Sequence, residues 1–139
     1  PEPESAPARA GTVLLVEDNA EVAEVATAYL QQLGYMVKQV ASAHEALELL
    51  CNDPKIDLVF ADILMPGGMT GLELGRAIRQ RYHGMPVLLA TGYSDSARDA
   101  VQQGFVVLQK PFDLAALEQG LRDAQKRKLE PADPKRAAS

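Results

Sequence analysis

The sequence contains one cysteine, Cys51, and no apolar run long enough to span a membrane. A single cysteine excludes an intramolecular disulfide and is compatible with a reducing compartment. Cys51 falls on the apolar side of a predicted helix, so we expect a small core residue rather than a reactive thiol. Because the chain also lacks a signal-peptide pattern, the sequence predicts a cytoplasmic protein that does not insert into membranes.

Positive charge is scarce. The chain has 14 lysines and arginines against 19 aspartates and glutamates, a net charge of −5. From Arg122 onward six basic residues face three acidic ones, so this end carries +3 and residues 1–121 carry −8. An acidic body argues against nucleic acid as a partner. No glycine-rich loop of the Walker type occurs, so ATP binding is not indicated. His44 and His83 are isolated, and neither resembles a metal ligand or a phosphorelay histidine.

The two ends of the chain differ in composition from its middle. Residues 1–11 are rich in proline and alanine and lack large apolar side chains, so they are predicted to form a linker. Residues 128–139, with Pro131 and Pro134, are predicted to be a disordered tail. Residues 12–127 then form a single domain, large enough for a real core. The chain begins with proline rather than methionine, which favours a domain taken from a longer protein.

The chain is organised around the segment Asp57–Asp62. Leu58 to Ala61 is an apolar run without polar alternation, which is typical of a strand buried on both faces of a parallel sheet. Asp62 stands at the carboxyl end of that run, ahead of a turn with Pro66 and two glycines. Open α/β sheets bind ligands at this edge. On position alone, Asp62 can equally be a helix cap or a turn residue.

The remaining sequence alternates between predicted strands and predicted helices. Apolar spacing and capping signals mark the helices, with Asn19 and Asp113 as N-caps and capping boxes at Ser42–Glu45 and Thr70–Glu73. Five strands and five helices joined by short connections require right-handed crossovers. The sequence therefore predicts an α/β fold with a doubly wound, five-stranded parallel sheet and helices on both faces. The strands are expected at 12–16, 35–40, 58–62, 86–90 and 105–108.

Polar side chains follow four of these strands: Glu17, Asp18, Asp62, Thr91 and Lys110. A parallel sheet brings them to one edge. Clustered carboxylates repel one another unless a cation lies among them, and oxygen ligands with open positions suit Mg²⁺. With a lysine beside them, such a site can bind a phosphoryl group, which a carboxylate can accept covalently. Taken singly, the acids can be caps, the threonine a strand-end hydroxyl and the lysine a surface residue.

Four segments resemble the receiver domain of bacterial response regulators, the CheY-like family with the flavodoxin-like fold. They are Val13–Asn19, Asp57–Pro66, Leu89–Gly92 and Lys110–Phe112. The resemblance implies that Asp62 accepts a phosphoryl group from a histidine kinase or a histidine phosphotransfer protein. It implies that Asp18, Asp62 and the Leu64 backbone carbonyl ligate Mg²⁺, that Glu17 assists through water, and that Thr91 and Lys110 bind the phosphoryl oxygens. The Lys110–Pro111 peptide bond is expected to be cis.

The sequence departs from the family pattern at three places. The loop Pro66–Gly71 has one residue more than is usual, so we expect it to be longer and more mobile. The position that often carries a switch aromatic is Val107, and Phe105 lies two residues upstream, which puts the usual threonine–aromatic switch in doubt. Leu64 and Tyr93 flank the phosphoryl site in the family, and an apolar pair there is predicted to hinder the water that hydrolyses an acyl phosphate.

Met65–Met69, Thr91–Ser94 and Val107–Phe112 look most like receivers fused behind the catalytic core of hybrid histidine kinases. We therefore expect a signalling module of the two-component type, not an enzyme in its own right, whose parent chain carries a fused kinase core; a stand-alone regulator stays open. A hydrolase acting through an aspartyl phosphate would need a second carboxylate where Leu64 stands. A receiver-like interaction domain that is not phosphorylated is the third reading, although every acceptor-site residue is present.

Overall fold

The computed structural model describes residues 11–53, 55–65 and 68–129. The linker and tail predicted for the two ends lie outside these residues, apart from Gly11, Lys128 and Leu129. Gly11 already belongs to the first strand, and the last helix continues to Leu129 instead of ending before residue 128. The domain is thus slightly longer at both ends than the sequence pattern indicates. Pro66 and Gly67, in the loop expected to be mobile, also lie outside the described residues.

Strands and helices alternate along the chain as predicted. The strands are β1 (Gly11–Val16), β2 (Tyr35–Val40), β3 (Leu58–Asp62), β4 (Val87–Thr91) and β5 (Val106–Gln109). The helices are α1 (Ala20–Gln32), α2 (Ala43–Asn52), α3 (Gly71–Arg81), α4 (Ser94–Gln102) and α5 (Leu114–Leu129). None of the helices in the described part of the chain is long and apolar enough to cross a lipid bilayer.

All pairings in the sheet are parallel, and the strand order is β2-β1-β3-β4-β5. Strand β3 lies at the centre, and its first four residues are buried, as the unbroken apolar run predicts. In the register of β3 with β4, Asp62 lies opposite Ala90, so Thr91 reaches one residue further along the same edge. The doubly wound sheet predicted from the sequence is confirmed.

Two apolar clusters fill the spaces on the two faces of the sheet. The cluster under α2, α3 and α4 includes Leu74, Ile78 and Phe105, and the cluster under α1 and α5 includes Leu30 and Leu117. Full burial of one such side chain is worth about 1.5–3 kcal/mol. The sheet is covered on both faces, which leaves its edges as the places where polar side chains can gather.

Side-chain caps fix where most helices begin. The Asn19 side chain accepts hydrogen bonds from the first turn of α1, and Thr70 with Glu73 forms the reciprocal capping box of α3. Ser42 caps α2, but the Glu45 carboxylate accepts from the Ala41 amide, one residue ahead of the cap, so this predicted box is only half formed. In α5, the Asp113 side chain accepts from the Ala116 amide, as expected for a cap.

Cys51 is exposed, which corrects the expectation of a core residue. The buried stripe of α2 consists of Ala43, Ala46 and Leu50. Cys51 lies one residue beyond Leu50 and is therefore rotated by about 100° away from that stripe.

Gly71 allows helix α3 to begin directly against the end of β3. Its amide donates to the Ile63 carbonyl at 2.7 Å, and a Cβ atom at this position would overlap the backbone carbonyl of Asp62. Because a backbone atom cannot rotate away as a side chain can, the whole helix would have to shift. Glycine at this position therefore holds the segment around Asp62 against the first turn of α3.

Gly71→Ala is expected to destabilise the domain by about 2 kcal/mol or more, since overpacking against backbone exceeds the helix-propensity gain of alanine. The matched control is Gly120→Ala in α5, where the atoms nearest to the added Cβ belong to the Leu88 side chain, the first at 3.2 Å, and not to the backbone. For that variant we expect a change within about 1 kcal/mol. Urea unfolding of both variants checks this, and equal stabilities would contradict the packing argument.

Candidate functional site

The polar residues predicted to meet at one edge of the sheet do meet there. Glu17 and Asp18 follow β1, Asp62 ends β3, Thr91 ends β4 and Lys110 follows β5. Carboxylate oxygens of Glu17, Asp18 and Asp62 all lie within 4.8 Å of one another. Residues that are far apart in sequence are thus brought into one cluster by strand order alone.

Lys110 supplies the positive charge of this cluster. Its Nζ donates to Asp62 Oδ2 at 2.9 Å and lies 3.4 Å from Glu17 Oε1. The Lys110 side chain is one-quarter exposed, whereas that of Asp62 is 11% exposed. One ammonium group therefore faces three carboxylates, and the cluster keeps excess negative charge at the mouth of the site.

Glu17 is buried, and hydrogen bonds fix both its backbone and its side chain. Its Oε2 accepts from the Asn19 amide at 3.2 Å, and its own amide donates to the Val40 carbonyl at 3.0 Å. From the neighbouring strand, the Gln39 side-chain amide donates to the Glu17 carbonyl at 2.8 Å. These contacts tie the β1–α1 connection, which carries two of the three carboxylates, to β2.

Burial and neighbouring charges raise the pKa of two groups in the cluster, which disfavours the ionised form of Glu17 and favours the ionised form of Lys110. Burial raises the pKa of Glu17 above its ordinary value; the Asn19 amide and Lys110 ammonium oppose this, and the Asp62 charge adds to it. Burial tends to lower the pKa of Lys110, but the hydrogen bond and charge of Asp62, followed by those of Glu17, outweigh it, and the pKa is raised. The lysine therefore stays charged, while the glutamate is held in a site that resists its ionisation.

Thr91 is fully buried, and its hydroxyl oxygen accepts from the Tyr93 amide at 3.1 Å. That bond leaves the hydroxyl proton of Thr91 to donate elsewhere. On the opposite side, the Leu64 amide donates to Asp62 Oδ1 at 3.3 Å. Leu64 and Tyr93 are 44% and 64% exposed, and their backbone amides are the groups that contact Asp62 and Thr91.

The segment after Lys110 agrees with the prediction from the sequence. The Lys110–Pro111 peptide bond is cis, and the Phe112 ring makes edge-on contacts with Tyr29 and Phe60. At the switch position, Val107 is partly buried against the apolar cluster under α2, α3 and α4.

Two residues that help to build the site were missed by the sequence interpretation, namely Gln39 and Gly71. Gln39 acts across the β1–β2 pairing, in which it lies opposite Leu15, and its role depends on that register. The available signal is a polar residue next to the end of a strand that is otherwise half apolar. The capping-box pattern predicts the start of α3 but not the role of Gly71, for which the signal is a glycine directly after the cap, a mark of close backbone approach.

Residues 13–122 match the family of response regulator receiver domains. This chain belongs to that family. It is a receiver domain of a two-component system, and the fold of five parallel strands with five helices is the receiver fold. The membership in the receiver family that the four sequence segments predict is confirmed.

Several relatives show how the receiver domain sits in known proteins. FleR of Pseudomonas aeruginosa, a response regulator, is 41% identical over 111 residues, which cover 78% of this chain and 23% of FleR. The phosphoglycerate transport system transcriptional regulatory protein PgtA of Salmonella typhimurium is 36% identical over 118 residues, or 80% of this chain and 28% of PgtA. The chain spans about a quarter of the length of the curated relatives it matches.

Among solved structures, the response regulator TrrA of Thermotoga maritima, in complex with Mg²⁺-BeF, is 28% identical with a TM-score of 0.74. The match covers 82% of this chain and 98% of that one. A receiver domain from Clostridium thermocellum has a TM-score of 0.77 at 26% identity, covering 86% of this chain and 97% of that one.

The raised pKa of Glu17 predicts a particular pH dependence of stability. The folded protein binds the Glu17 proton more tightly than the unfolded chain, so this contribution is present below the ordinary pKa of 4.5 and is lost as pH rises through the folded pKa. The variant Glu17→Gln has no carboxyl group to ionise at this position, so its stability does not fall in this way as pH rises. Its stability relative to the natural protein should therefore rise between about pH 4 and pH 7.

Urea unfolding of both proteins at the two pH values, in EDTA so that no divalent cation contributes, measures this difference. The quantity compared is the change in the stability gap with pH, so a constant offset caused by the substitution cancels. If the difference in unfolding free energy stays constant, or changes in favour of the natural protein as pH rises, the ionised carboxylate is not disfavoured in the folded state.

Proposed function

We propose that Asp62 accepts a phosphoryl group from the phosphohistidine of a histidine kinase or a histidine phosphotransfer protein. The observation that carries the proposal is the position of the Asp62 carboxylate, 2.9 Å from the Lys110 ammonium and within 4.8 Å of the oxygens of two other acids. The site lies at the open carboxyl edge of the sheet, where a partner can reach it. The domain would then act in the cytoplasm, where histidine kinases are phosphorylated by ATP.

The acidic cluster fits Mg²⁺, which prefers oxygen ligands and keeps several of its waters. Asp18 and Asp62 would hold the ion together with the Leu64 backbone carbonyl, and Glu17 would act through a bound water. When bound, the ion neutralises charge on the phosphoryl oxygens as well as on the carboxylates. The excess negative charge left by one lysine among three acids is the observation that supports this donor set.

The chain's own residues then perform the transfer. An Asp62 carboxylate oxygen attacks phosphorus, the bond from phosphorus to the donor imidazole nitrogen breaks, and that nitrogen keeps the electron pair. The Lys110 ammonium moves from Asp62 to a phosphoryl oxygen, and the Thr91 hydroxyl donates to another. Lys110 already contacts the acceptor before reaction, and the Thr91 hydroxyl accepts from the Tyr93 amide, which leaves its proton available to donate once Thr91 moves toward the phosphoryl group.

Phosphorylation is proposed to change partner affinity at the face near α4 and β5. Thr91 and Lys110 border this face, because the Lys110 amide donates to the Thr91 carbonyl at 2.9 Å. A movement of Thr91 toward phosphate would vacate space beside Val107, which lacks the bulk of an aromatic ring. We therefore expect a smaller rearrangement of β5 than an aromatic side chain would produce.

Two other readings are weaker. An aspartyl-phosphate hydrolase needs a carboxylate two residues after the nucleophile, and the exposed Leu64 side chain stands there. A receiver-like domain that is not phosphorylated would not require three acids with carboxylate oxygens within 4.8 Å of one another and a lysine that contacts two of them.

For the longer protein, two placements are proposed. The loop and β5 segments favour a receiver fused to a hybrid histidine kinase. The curated relatives favour a regulator of transcription, since PgtA carries that function in its name and the chain covers 28% of its length. Nucleic-acid binding is then assigned to another part of such a protein and not to this acidic domain. The coding sequence on both sides of the domain decides between these two placements and the stand-alone regulator that also stays open.

Incubation with acetyl phosphate and Mg²⁺ should add the mass of one phosphoryl group to the natural protein and none to Asp62→Asn, because no other carboxylate among the residues that the structure describes contacts Lys110 as closely. Intact mass spectrometry measures this. Asp57→Asn is the matched control, since Asp57 lies at the opposite end of β3 and its carboxylate accepts from the Thr12 amide. Phosphorylation that persists in Asp62→Asn would refute the acceptor assignment.

Leu64→Asn should shorten the half-life of the acyl phosphate by about three-fold or more, since an amide beside the phosphoryl group can orient the attacking water, whereas leucine cannot. Loss of the added phosphoryl mass with time, after removal of acetyl phosphate, provides the rate. Met36→Asn introduces the same side chain at another exposed apolar residue, on the edge strand β2, and serves as the control. An equal or longer half-life in Leu64→Asn would refute the shielding role.

A further inference from the structure

A cavity of about 530 Å³ lies at the edge of the sheet opposite the proposed phosphoacceptor site. It is bounded where β4 and β5 begin and where α3 and α4 end, with α5 closing one side. Its volume falls within the range of small-molecule sites, about 300–1,000 Å³. Neither the receiver fold nor the proposed transfer reaction uses this space.

The charge of the cavity is opposite to that of the domain. Arg79, Arg127 and His83 line it, and no aspartate or glutamate does so among the described residues. The chain as a whole carries −5. Burial lowers the pKa of the Arg79 guanidinium, and the positive charge of Arg127 lowers it further.

Backbone carbonyls hold both guanidinium groups in place. Arg79 donates to the Gln103 carbonyl at 2.7 Å and Arg127 donates to the Gly104 carbonyl at 2.9 Å. The Arg79 guanidinium also lies 3.9 Å from the centre of the Phe105 ring. Capping of the carboxyl end of α4 explains one hydrogen bond from each arginine. A guanidinium has five N–H groups, and capping does not explain why both cations line one cavity.

Apolar side chains form the wall beside these cations. Met85, Pro86, Val106 and Ala124 contribute to it, and Phe105 lies under Arg79. Charged groups fixed next to an apolar wall recognise a molecule with an anionic head and an apolar body. We propose that this cavity binds a small organic anion, with its head group between Arg79 and Arg127 and its body against the apolar wall.

The probe is 8-anilinonaphthalene-1-sulfonate, an organic anion whose fluorescence rises in apolar surroundings. N-phenyl-1-naphthylamine has the same rings without the sulfonate and tests recognition of the charge. Titrations use the natural protein, Arg127→Gln, the charge reversal Arg127→Glu, and Arg122→Gln as control. Arg122→Gln removes the same charge from the same helix, but Arg122 does not line the cavity and pairs with Glu118. Circular dichroism confirms that each variant is folded.

Loss of one charge-assisted hydrogen bond should weaken binding of the sulfonate dye about ten-fold in Arg127→Gln, more in Arg127→Glu, and less than about two-fold in Arg122→Gln. The uncharged dye should bind all four proteins alike. Amide chemical shifts should change at Gly84 and Gly104, which line the cavity.

Equal binding by Arg127→Gln and Arg122→Gln, no binding at all, or chemical-shift changes centred beside Leu64 and Tyr93 would overturn the proposal. Because no phosphorylation step is involved, the result is independent of the role of Asp62.

Discussion

The mutual repulsion of three carboxylates at the carboxyl edge of the sheet is the constraint on which the account of this protein depends. Glu17, Asp18 and Asp62 approach one another within 4.8 Å, and one lysine offsets only part of their charge. Such a cluster persists only because the sheet fixes its members by backbone pairing. The electrostatic cost is stored in the folded domain, and a divalent cation or a phosphoryl group that recruits Lys110 can relieve it.

The surrounding structure holds these acids from two directions. Gln39 and Val40 anchor the backbone of Glu17 to the neighbouring strand, and Gly71 lets α3 begin against the carbonyl of Asp62. Neither of these two sets of contacts takes part in the proposed reaction. Both restrict how far the carboxylates can separate, so the rigidity of the sheet edge becomes part of the chemistry of the site.

Local patterns in the sequence predicted much of the fold and the site. The buried run before Asp62 and the helix caps are properties of adjacent residues, and parallel topology then brings the strand ends together without further information. Features that depend on contacts between distant elements were not predicted. The hydrogen bond from Gln39, for example, requires a strand register. The exposure of Cys51 has a local cause instead, because one residue beyond Leu50 is rotated by about 100° away from the buried stripe of α2.

The cavity between the helix ends belongs to the same class of unpredicted features. Its lining comes from the ends of three helices and the starts of two strands, and no local pattern relates Arg79 to Arg127. It places concentrated positive charge at one edge of the sheet, while concentrated negative charge lies at the other. Strands β4 and β5 and helix α4 run from one of these edges to the other.

The central claim is that this acidic cluster holds one divalent cation. Crystals soaked in Mn²⁺, which takes the place of Mg²⁺ and has a measurable anomalous signal, test it most directly. The account predicts one anomalous peak about 2–2.3 Å from oxygens of both Asp18 and Asp62, with Lys110 still within hydrogen-bonding distance of Asp62. An absent peak under saturating Mn²⁺, or a peak bound to only one of the two aspartates, would contradict it.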